Sequence, residues 1–286
     1  MDRVLLSIGH GYSARALARL LKPQGWRIIG TTRSAEKAGT LAAEGVEPLI
    51  WPGTEIGPAL AQATHLLTSV SPDPEGDPVL RQAGTAIAAA APRLSWAGYL
   101  STTGVYGDHR GGWVDETTPL TPSTERGRRR VAAEEAWAAV PGLPLHVFRL
   151  AGIYGPGRSA FDRLRAGTAR RIVKEGQVFS RIHVEDIAQV LAAAMARPDP
   201  GGVYNLADDD PAPPQDVIAC AAELLGVPVP PEIPFETAEL SPMAASFYSE
   251  SKRVRNDRIK EALGVRLLYP DYRAGLAAIL AAERAG

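Results

Sequence analysis

The stretch that decides the fold is Arg3-Val-Leu-Leu-Ser-Ile-Gly9-His-Gly11-Tyr-Ser-Ala14, at the beginning of the 286-residue chain. An apolar strand runs here into a glycine-rich turn, and an alanine-rich amphipathic segment follows. Gly9 permits a tight turn, Gly11 lets the backbone approach a pyrophosphate, and Ala14 lets a helix pack closely on the strand. A helix that begins near Ser13 directs its first N–H groups at such phosphates. The pattern predicts a dinucleotide-binding βαβ unit.

Apolar strands and amphipathic helices are predicted to alternate over residues 1–150. Such alternation is typical of a parallel sheet covered on both faces, and it fits a doubly wound Rossmann sheet. The predicted strands are residues 4–8, 27–30, 46–50, 65–70, 97–101 and 145–150. The predicted helices between them are residues 13–24, 34–44, 79–91 and 125–140. The fold class is therefore predicted as α/β, with residues 1–150 as the dinucleotide-binding domain.

The composition changes after residue 150, where prolines and glycines cluster between helical segments. The pattern predicts a smaller α+β substrate lobe over residues 151–286, with some segments that return to the Rossmann sheet. A further strand is predicted at residues 203–206. The helices predicted in this part are residues 184–197, 215–225, 251–263 and 272–284.

The net charge and the residue counts restrict the binding partners and the cellular compartment that we expect for this protein. A formal net charge of −1 gives no reason to expect nucleic acid or an anionic membrane as the main partner. No apolar run approaches the roughly 18 residues of a membrane span. The single cysteine, Cys220, excludes an intramolecular disulfide and fits a reducing cytoplasm, which we expect as the location. The five histidines are scattered without ligand spacing, so no metal site is predicted.

The end of the second predicted strand bears on the choice of cofactor. Sites for NAD usually carry an acidic residue there, whereas this chain carries Thr32 and Arg33. Arg33 could pair with a 2′-phosphate, which favours NADP over NAD. The alternative is a solvated arginine ahead of a helix capped by Ser34. Polar residues that end the fourth strand complete the predicted cofactor contacts, which are Gly9, Gly11, Tyr12, Ser13, Ala14, Thr32, Arg33, Thr68 and Ser69.

Several further segments, in this order along the chain, resemble the extended short-chain dehydrogenases/reductases, the NAD-dependent epimerase/dehydratase family. They are Ser101-Thr-Thr-Gly-Val-Tyr-Gly107, Asp115-Glu116 with Pro119, Arg149-Leu-Ala-Gly-Ile-Tyr-Gly-Pro-Gly157, Ile182-His-Val-Glu-Asp-Ile187 and Tyr204-Asn-Leu-Ala207. The resemblance implies an NAD(P) cofactor and a small-molecule substrate between the two lobes, a sugar nucleotide or a similar polar compound. It also implies that the chain can form a homodimer.

The resemblance places the catalytic residues and shows a gap among them. The hydroxyl residue that orients the substrate falls on Thr102. The family's catalytic Tyr and Lys, four residues apart, fall on Arg126 and Arg130. An i, i+4 pair lies on one helix face, so both side chains can point at one site. Arginine stays protonated and has no acceptor, so it cannot take a proton from a hydroxyl, although it can hold a phosphate, a carboxylate or an oxyanion.

Three interpretations of the segment 126–130 stand open. In the first, the segment binds an anionic group of the cofactor or the substrate. In the second, it is a solvated helix face, with an i, i+4 partner such as Glu134 for Arg130. In the third, the register is shifted by one turn and the site lies elsewhere. Tyr106 is a candidate replacement acid, although the matching family position usually shapes the pocket. His183 and Asp186 are expected to do structural work.

Two functions follow from this pattern. The first is an NADP(H)-dependent oxidoreductase or epimerase/dehydratase in which Thr102, Tyr106, Arg126 and Arg130 form the catalytic set. The second is a sensor or regulatory protein of the same fold that binds the dinucleotide without turnover. The absence of the Tyr–Lys pair supports the second function, and the intact segments of the substrate lobe support the first.

Overall fold

The computed structural model describes residues 3–197 and 201–285 of the chain. The strands are β1 (Val4–Ile8), β2 (Arg27–Thr32), β3 (Glu47–Ile50), β4 (His65–Thr68), β5 (Trp96–Thr102), β6 (Trp113–Val114), β7 (Leu145–Leu150), β8 (Gly152–Tyr154), β9 (Arg171–Val173), β10 (Arg181–His183), β11 (Gly202–Leu206), β12 (Glu232–Pro234) and β13 (Arg253–Val254). The helices are α1 (Tyr12–Leu21), α2 (Ala35–Ala43), α3 (Gly57–Gln62), α4 (Pro78–Ala90), α5 (Glu125–Ala138), α6 (Ala160–Arg165), α7 (Val184–Met195), α8 (Pro214–Leu225), α9 (Pro242–Tyr248), α10 (Asp257–Glu261) and α11 (Tyr272–Ala285).

Within these described ranges, seven parallel strands form the central sheet in the order β11-β7-β5-β4-β1-β2-β3. From β1 the chain runs outwards through β2 and β3, and it then returns to the other side of β1 as β4. Because the connections diverge there, a crevice opens at the carboxyl ends of β1 and β4, where such sheets bind ligands. The prediction of a doubly wound α/β fold is confirmed.

Neighbouring residues of β1 face opposite sides of the sheet, and each side has its own apolar core. Leu5 packs in one cluster with Leu17 of α1 and with residues of α7. Leu6 packs in a second cluster with Val79 and Ile87 of α4. A strand that is buried on both faces needs a continuous run of apolar residues, which explains the apolar run of β1 in the sequence.

The structure confirms the strands predicted in the first 150 residues and a strand at 203–206, since β11 pairs in parallel with β7 at the sheet edge. The helix predicted over residues 251–263 is wrong. The carbonyl of Ser251 accepts hydrogen bonds from the backbone N–H groups of His109 and Gly111, which hold this segment extended as β13 pairs with β6. Only α10 in this segment is helical.

The boundary near residue 150 stays a prediction, because the two parts of the chain share the central sheet. β11 belongs to that sheet, and α7 packs against α1 beside it. The shorter pairs β10-β8, β12-β9 and β13-β6 lie outside the central sheet. The later part of the chain therefore completes the central sheet and also forms a wall over its crevice.

Helix α5 begins against the turn that follows β5. The hydroxyl of Thr124 accepts a hydrogen bond from the Gly127 N–H at 3.1 Å and caps the helix. A Cβ at Gly127 would lie 2.9 Å from the Gly104 carbonyl oxygen, so only glycine allows this approach. The first turn of α5 is thereby fixed beside the carboxyl end of β5.

A buried polar network lies beneath this junction and connects α5 with β5, β7 and β11. Arg149 Nη2 lies 2.7 Å from Glu134 Oε2, and both side chains are less than 10% exposed (6% and 8%). The hydroxyl of Ser101 donates to Glu134. Arg149 donates to the Tyr106 hydroxyl at 3.0 Å, which in turn donates to Asn205 Oδ1 at 2.7 Å. The buried charges are paired, as burial in an apolar interior requires.

We expect Arg149→Met to destabilise the fold strongly, because it leaves the Glu134 carboxylate buried without its cation. Loss of one partner from a buried pair costs about 3–5 kcal/mol. The control is Arg128→Met, which breaks an ion pair to Glu125 whose side chains are more than half exposed, and it should change little. The free energy of unfolding in urea measures both. Equal effects of the two substitutions would show that the network does not stabilise the fold.

Candidate functional site

The glycine turn after β1 is held between the ends of β2 and β4. Gly9 has φ +77° and donates its N–H to the Thr31 hydroxyl at 2.7 Å. The Ser69 hydroxyl donates to the Gly9 carbonyl oxygen. A Cβ at Gly9 would lie 3.0 Å from the Val70 side chain. The turn thus requires glycine for both its conformation and its space.

The N-terminus of α1 opens from this turn. Gly11 is the N-cap residue and carries no side chain to satisfy the first N–H groups of the helix. Gly11, Tyr12 and Ser13 line a large cleft, whereas Ala14 is buried and packs in the core below. Free N–H groups and the helix dipole attract an anion at this point.

The cleft has a volume of about 1480 Å³ and lies between the carboxyl ends of the sheet strands and the later part of the chain. Its floor includes the glycine turn, Ser69, Thr102 and the start of α5. Its other walls come from the segment after β8, from α6, and from the residues around α9 and β13. The sequence-predicted residues Gly9, Gly11, Tyr12, Ser13, Ser69, Thr102, Arg126 and Arg130 are therefore brought to one cleft.

Cationic side chains on the walls of the cleft outnumber the carboxylates. The cations are Arg126, Arg130, Arg158, Arg163, Arg170, Arg181 and Lys252, and the carboxylates are Asp162, Glu239 and Glu250. Asp162 is engaged in the capping box of α6, where it accepts from Ser159. This charge distribution fits an anionic ligand.

A turn from the later part of the chain lies across the start of α1. The Tyr12 hydroxyl donates to the Pro156 carbonyl oxygen at 3.0 Å, and the Arg158 guanidinium lies 5.8 Å from the centre of the Tyr12 ring. A Cβ at Gly155 would lie 2.6 Å from the Tyr12 hydroxyl oxygen, so the turn approaches as closely as glycine allows. Arg158 thus places a cation opposite the N–H groups of α1.

Thr102 and Arg126 both line the cleft. The Thr102 hydroxyl accepts a hydrogen bond from the Gly104 N–H at 3.2 Å, which leaves its own proton for a ligand. Arg126 is exposed in the first turn of α5 and lines the cleft. Arg128 and Arg129 instead pair with Glu125 on the outer surface of the helix.

Arg130 is buried and fixed, with one edge on the cleft. Its Nη1 donates to the Tyr99 hydroxyl at 3.0 Å and to the Leu100 carbonyl oxygen at 2.9 Å, and its Nη2 donates to the Ser71 hydroxyl at 3.2 Å. The interpretation that pairs Arg130 with Glu134 is wrong, because Glu134 is taken by Arg149 and Ser101. Arg130 therefore connects β4, β5 and α5 at the crevice.

Tyr106 does not reach the cleft. It is fully buried, and its hydroxyl is occupied by Arg149 and Asn205. Burial raises the pKa of the Tyr106 hydroxyl, although Arg149 acts in the opposite direction. A buried phenol with a raised pKa is a poor proton donor near neutral pH. This position favours a scaffold role for Tyr106.

The remaining predicted cofactor residues lie around the end of β2 and β4. Thr32 is half-buried, and its carbonyl accepts from the Trp51 N–H at 2.8 Å. Arg33 is exposed just beyond it and does not line the cleft. Thr68 is buried beneath the crevice, and its hydroxyl has no hydrogen-bond partner among the described residues. His10 is buried next to Gly30, and burial lowers its pKa to about 4.

His183 and Asp186 support the later part of the fold. His183 Nδ1 accepts the Glu185 N–H at 3.3 Å and caps α7, and burial lowers the pKa of His183 to about 4. The Asp186 carboxylate accepts the backbone N–H groups of Leu268 and Tyr269. Burial raises the pKa of Asp186 to about 6 in spite of these bonds.

Sequence reasoning missed Arg158, Lys252 and Glu250 as cleft residues. Arg158 directly follows the Tyr-Gly-Pro-Gly segment, so that motif could have drawn attention to it. Lys252 falls at the start of the segment that was predicted as a helix, Glu250 lies just before it, and nothing local marks either residue. Their place in the cleft depends on pairing with residues more than 100 positions earlier.

In the part of the chain that the structure describes, no group of three or more His, Cys, Asp or Glu side chains is arranged to hold a metal ion. No helix within the described ranges is both long and apolar enough to cross a membrane.

Comparison with known proteins extends the likeness over the whole chain. A solved structure of a conserved protein of unknown function from Silicibacter pomeroyi is 66% identical, with 99% of each chain covered and a TM-score of 0.94. A proposed NAD-dependent epimerase/dehydratase from Methylobacillus flagellatus is 29% identical, with 99% of each chain covered and a TM-score of 0.74. Protein YeeZ of Escherichia coli is 29% identical over 280 residues, which cover 92% of this chain and 95% of that protein.

A family model matches the middle part of the chain. Residues 84–207 match the model of the NAD dependent epimerase/dehydratase family. The match begins in α4 and ends just after β11, so it includes Thr102, α5 and the buried network. The fold and the whole-chain likeness to a proposed member agree with this match, so the chain is similar to the NAD-dependent epimerase/dehydratase family and carries a domain that matches its model.

Proposed function

We propose that this protein binds NADP(H) at the glycine turn and acts on a small anionic substrate in the same cleft. The observation that carries the proposal is the open N-terminus of α1, where Gly9 and Gly11 leave room for a diphosphate and a cationic wall faces it. The bound nicotinamide would supply or accept a hydride. Gly11, Tyr12, Ser13 and Arg158 would hold the diphosphate.

Selection of NADP over NAD rests on the residues beyond β2. No carboxylate follows the strand directly, and the exposed Arg33 stands in its place. A guanidinium can pair with a 2′-phosphate through two hydrogen bonds, whereas a ribose 2′-hydroxyl offers it no charge. NADP is therefore favoured, and NAD remains the alternative.

We expect NADPH to bind at least about tenfold more tightly than NADH, a difference of about 1.4 kcal/mol. Arg33→Met should remove most of this preference by weakening NADPH binding alone. Isothermal titration calorimetry at low salt measures both ligands. Arg284→Met, a change of an exposed arginine near the end of α11, is the matched control and should leave the preference intact. A preference that survives Arg33→Met would remove Arg33 from the site.

The substrate is proposed to lie over Thr102 and Arg126. Thr102 can donate its hydroxyl proton to a substrate oxygen, and Arg126 can pair with a phosphate or carboxylate. The volume and the cationic walls of the cleft are compatible with a dinucleotide and a second polar molecule such as a sugar nucleotide. An epimerase, dehydratase or reductase reaction would use these groups to hold the substrate against the nicotinamide.

The second candidate is a dinucleotide-binding sensor or regulator without turnover. The observation that favours it is the sequence of α5, which contains neither tyrosine nor lysine. Tyr106 does not compensate, because it is buried away from the cleft. Oxidation of NADPH in the presence of carbonyl and sugar-nucleotide substrates separates the two candidates, since steady turnover excludes a sensor that only binds.

The variant Gly11→Val tests whether any such turnover depends on the proposed cofactor site. A Cβ at Gly11 would have 3.7 Å to its nearest neighbour, so the surrounding structure leaves room for the first atom of a side chain there. The branched side chain of valine would stand where the diphosphate must approach. We expect the protein to remain folded, with a lower melting temperature because valine is a poorer N-cap than glycine, and to lose NADPH binding and oxidation. Full retention of both would contradict the proposed site.

Location and assembly belong to the same proposal. A cytoplasmic protein is supported by the single cysteine, Cys220, which is free. A homodimer, which the family resemblance implies, stays a prediction.

A further inference from the structure

Lys252 is a cationic cleft residue that is held rigidly by the strand pair β6-β13. The carbonyl of Ser251 accepts backbone hydrogen bonds from His109 at 3.1 Å and from Gly111 at 2.8 Å. On the other side, the Arg253 N–H donates to the Gly112 carbonyl at 2.9 Å. The backbone of Lys252 is thereby fixed on both sides, and its side chain lines the cleft.

The ammonium group of Lys252 has two partners within the described structure. It donates to the Gly107 carbonyl oxygen at 2.7 Å and to the Glu250 carboxylate at 2.6 Å. An ammonium group has three donors, and no third acceptor occurs among the described residues. The residue is only 9% exposed, and it reaches open space at the cleft. One N–H of the nearly buried Lys252 ammonium, whose charge Glu250 balances, is therefore left for a ligand.

This pair is joined to the wall that carries Thr102 and α5. Glu250 also accepts from the hydroxyl of Ser123, the residue before the helix cap Thr124. Gly107 ends the turn Thr103–Tyr106, which begins directly after Thr102. Lys252 is thus placed on the same side of the cleft as the substrate-orienting hydroxyl, although it lies 150 residues away in the sequence.

We propose that Lys252 is a catalytic residue that contacts the substrate and supplies the proton that α5 cannot supply. The proposal rests on the proposed function, in which hydride moves between a nicotinamide and a substrate carbon. In the direction of reduction, the carbonyl carbon takes up the hydride and the π electron pair moves to oxygen. That oxygen takes a proton from the Lys252 ammonium as the N–H bond breaks. Water at the mouth of the cleft returns a proton to the amine.

The surroundings of Lys252 suit a residue that donates a proton to the substrate. The donor must reach the substrate oxygen, and its charge must be tolerated when the cleft is filled. The Glu250 carboxylate lies 2.6 Å from the ammonium and balances its charge in the buried wall. Arg126 and Arg130 cannot take this role, because a guanidinium does not release its proton in proteins.

The first test asks whether Lys252 meets a ligand at all, and it does not need turnover. Pyridoxal 5′-phosphate carries an aldehyde and a phosphate. Its aldehyde forms an imine with an amine and loses water, and borohydride reduces the C=N bond to a stable amine that peptide mass spectrometry locates. We expect label on Lys252 that uridine 5′-diphosphate suppresses. The exposed Lys260 should be labelled without protection. Label on Lys252 that the diphosphate does not suppress would overturn the proposal.

The second test uses NADPH oxidation with whichever carbonyl substrate supports it. We expect Lys252→Met to lower kcat at least about a hundredfold, as loss of a general acid does. Lys252→Arg, which keeps the charge and the donors to Gly107 and Glu250, should retain substrate binding yet lose turnover. Lys260→Met is the matched control on the neighbouring helix and should keep full activity. Unchanged NADPH affinity in all variants shows that the cofactor site is intact.

The outcomes separate this inference from the proposed function. Turnover that Lys252→Met or Lys252→Arg leaves intact would refute Lys252 as the proton donor and keep the enzyme. Protected labelling of Lys252 without turnover on any substrate would support its contact with the ligand and refute the proposed reaction. A wild-type protein that does not bind NADPH would refute the proposed function and the hydride step that Lys252 is proposed to serve.

Discussion

The buried ion pair between Glu134 and Arg149 is the interaction on which the site depends. It joins the middle of α5 to β7, and through Ser101 and Tyr106 it reaches β5 and the 103–106 turn. A charged pair in an apolar interior is stable only with near-complete hydrogen bonding, so each element must keep its place. The floor of the cleft is therefore a rigid platform.

On that platform, α5 presents arginines that hold structure and charge. Arg130 fixes β4 and β5 to the helix, and Arg126 offers a cation to the cleft. Neither can exchange a proton with a substrate near neutral pH. The chain thus combines a glycine turn of the dinucleotide-binding type with a helix, α5, whose arginines hold neighbouring strands and supply positive charge. Likeness to a family alone does not fix the reaction of such a chain, and its relative from Silicibacter pomeroyi, 66% identical, is itself of unknown function.

Features that depend on contacts between residues close in the sequence could be predicted, whereas features that depend on contacts between distant residues could not. The turn at Gly9 and Gly11 could be predicted because its chemistry lies within one strand, one turn and one helix. The partners of Arg130 could not, since Tyr99, Leu100 and Ser71 are 30 to 59 residues away. Local spacing suggested Glu134 instead, although a buried arginine on β7 competes for that carboxylate. Lys252 was hidden for the same reason, because distant backbone pairing turns its segment into a strand.

We propose that Lys252, which lies outside α5, donates the proton in this cleft, and that the absence of the Tyr–Lys pair from α5 does not mean an absence of activity. The most direct measurement is the rate of NADPH oxidation by the double variant Arg126→Tyr, Arg130→Lys, compared with the wild type on the same substrates. The account predicts no gain, because Lys at position 130 cannot replace the three hydrogen bonds of the guanidinium and because the cleft is organised around another donor. A rise in rate of about tenfold or more, a lowering of the barrier by about 1.4 kcal/mol, would contradict it and show that α5 is an eroded catalytic helix.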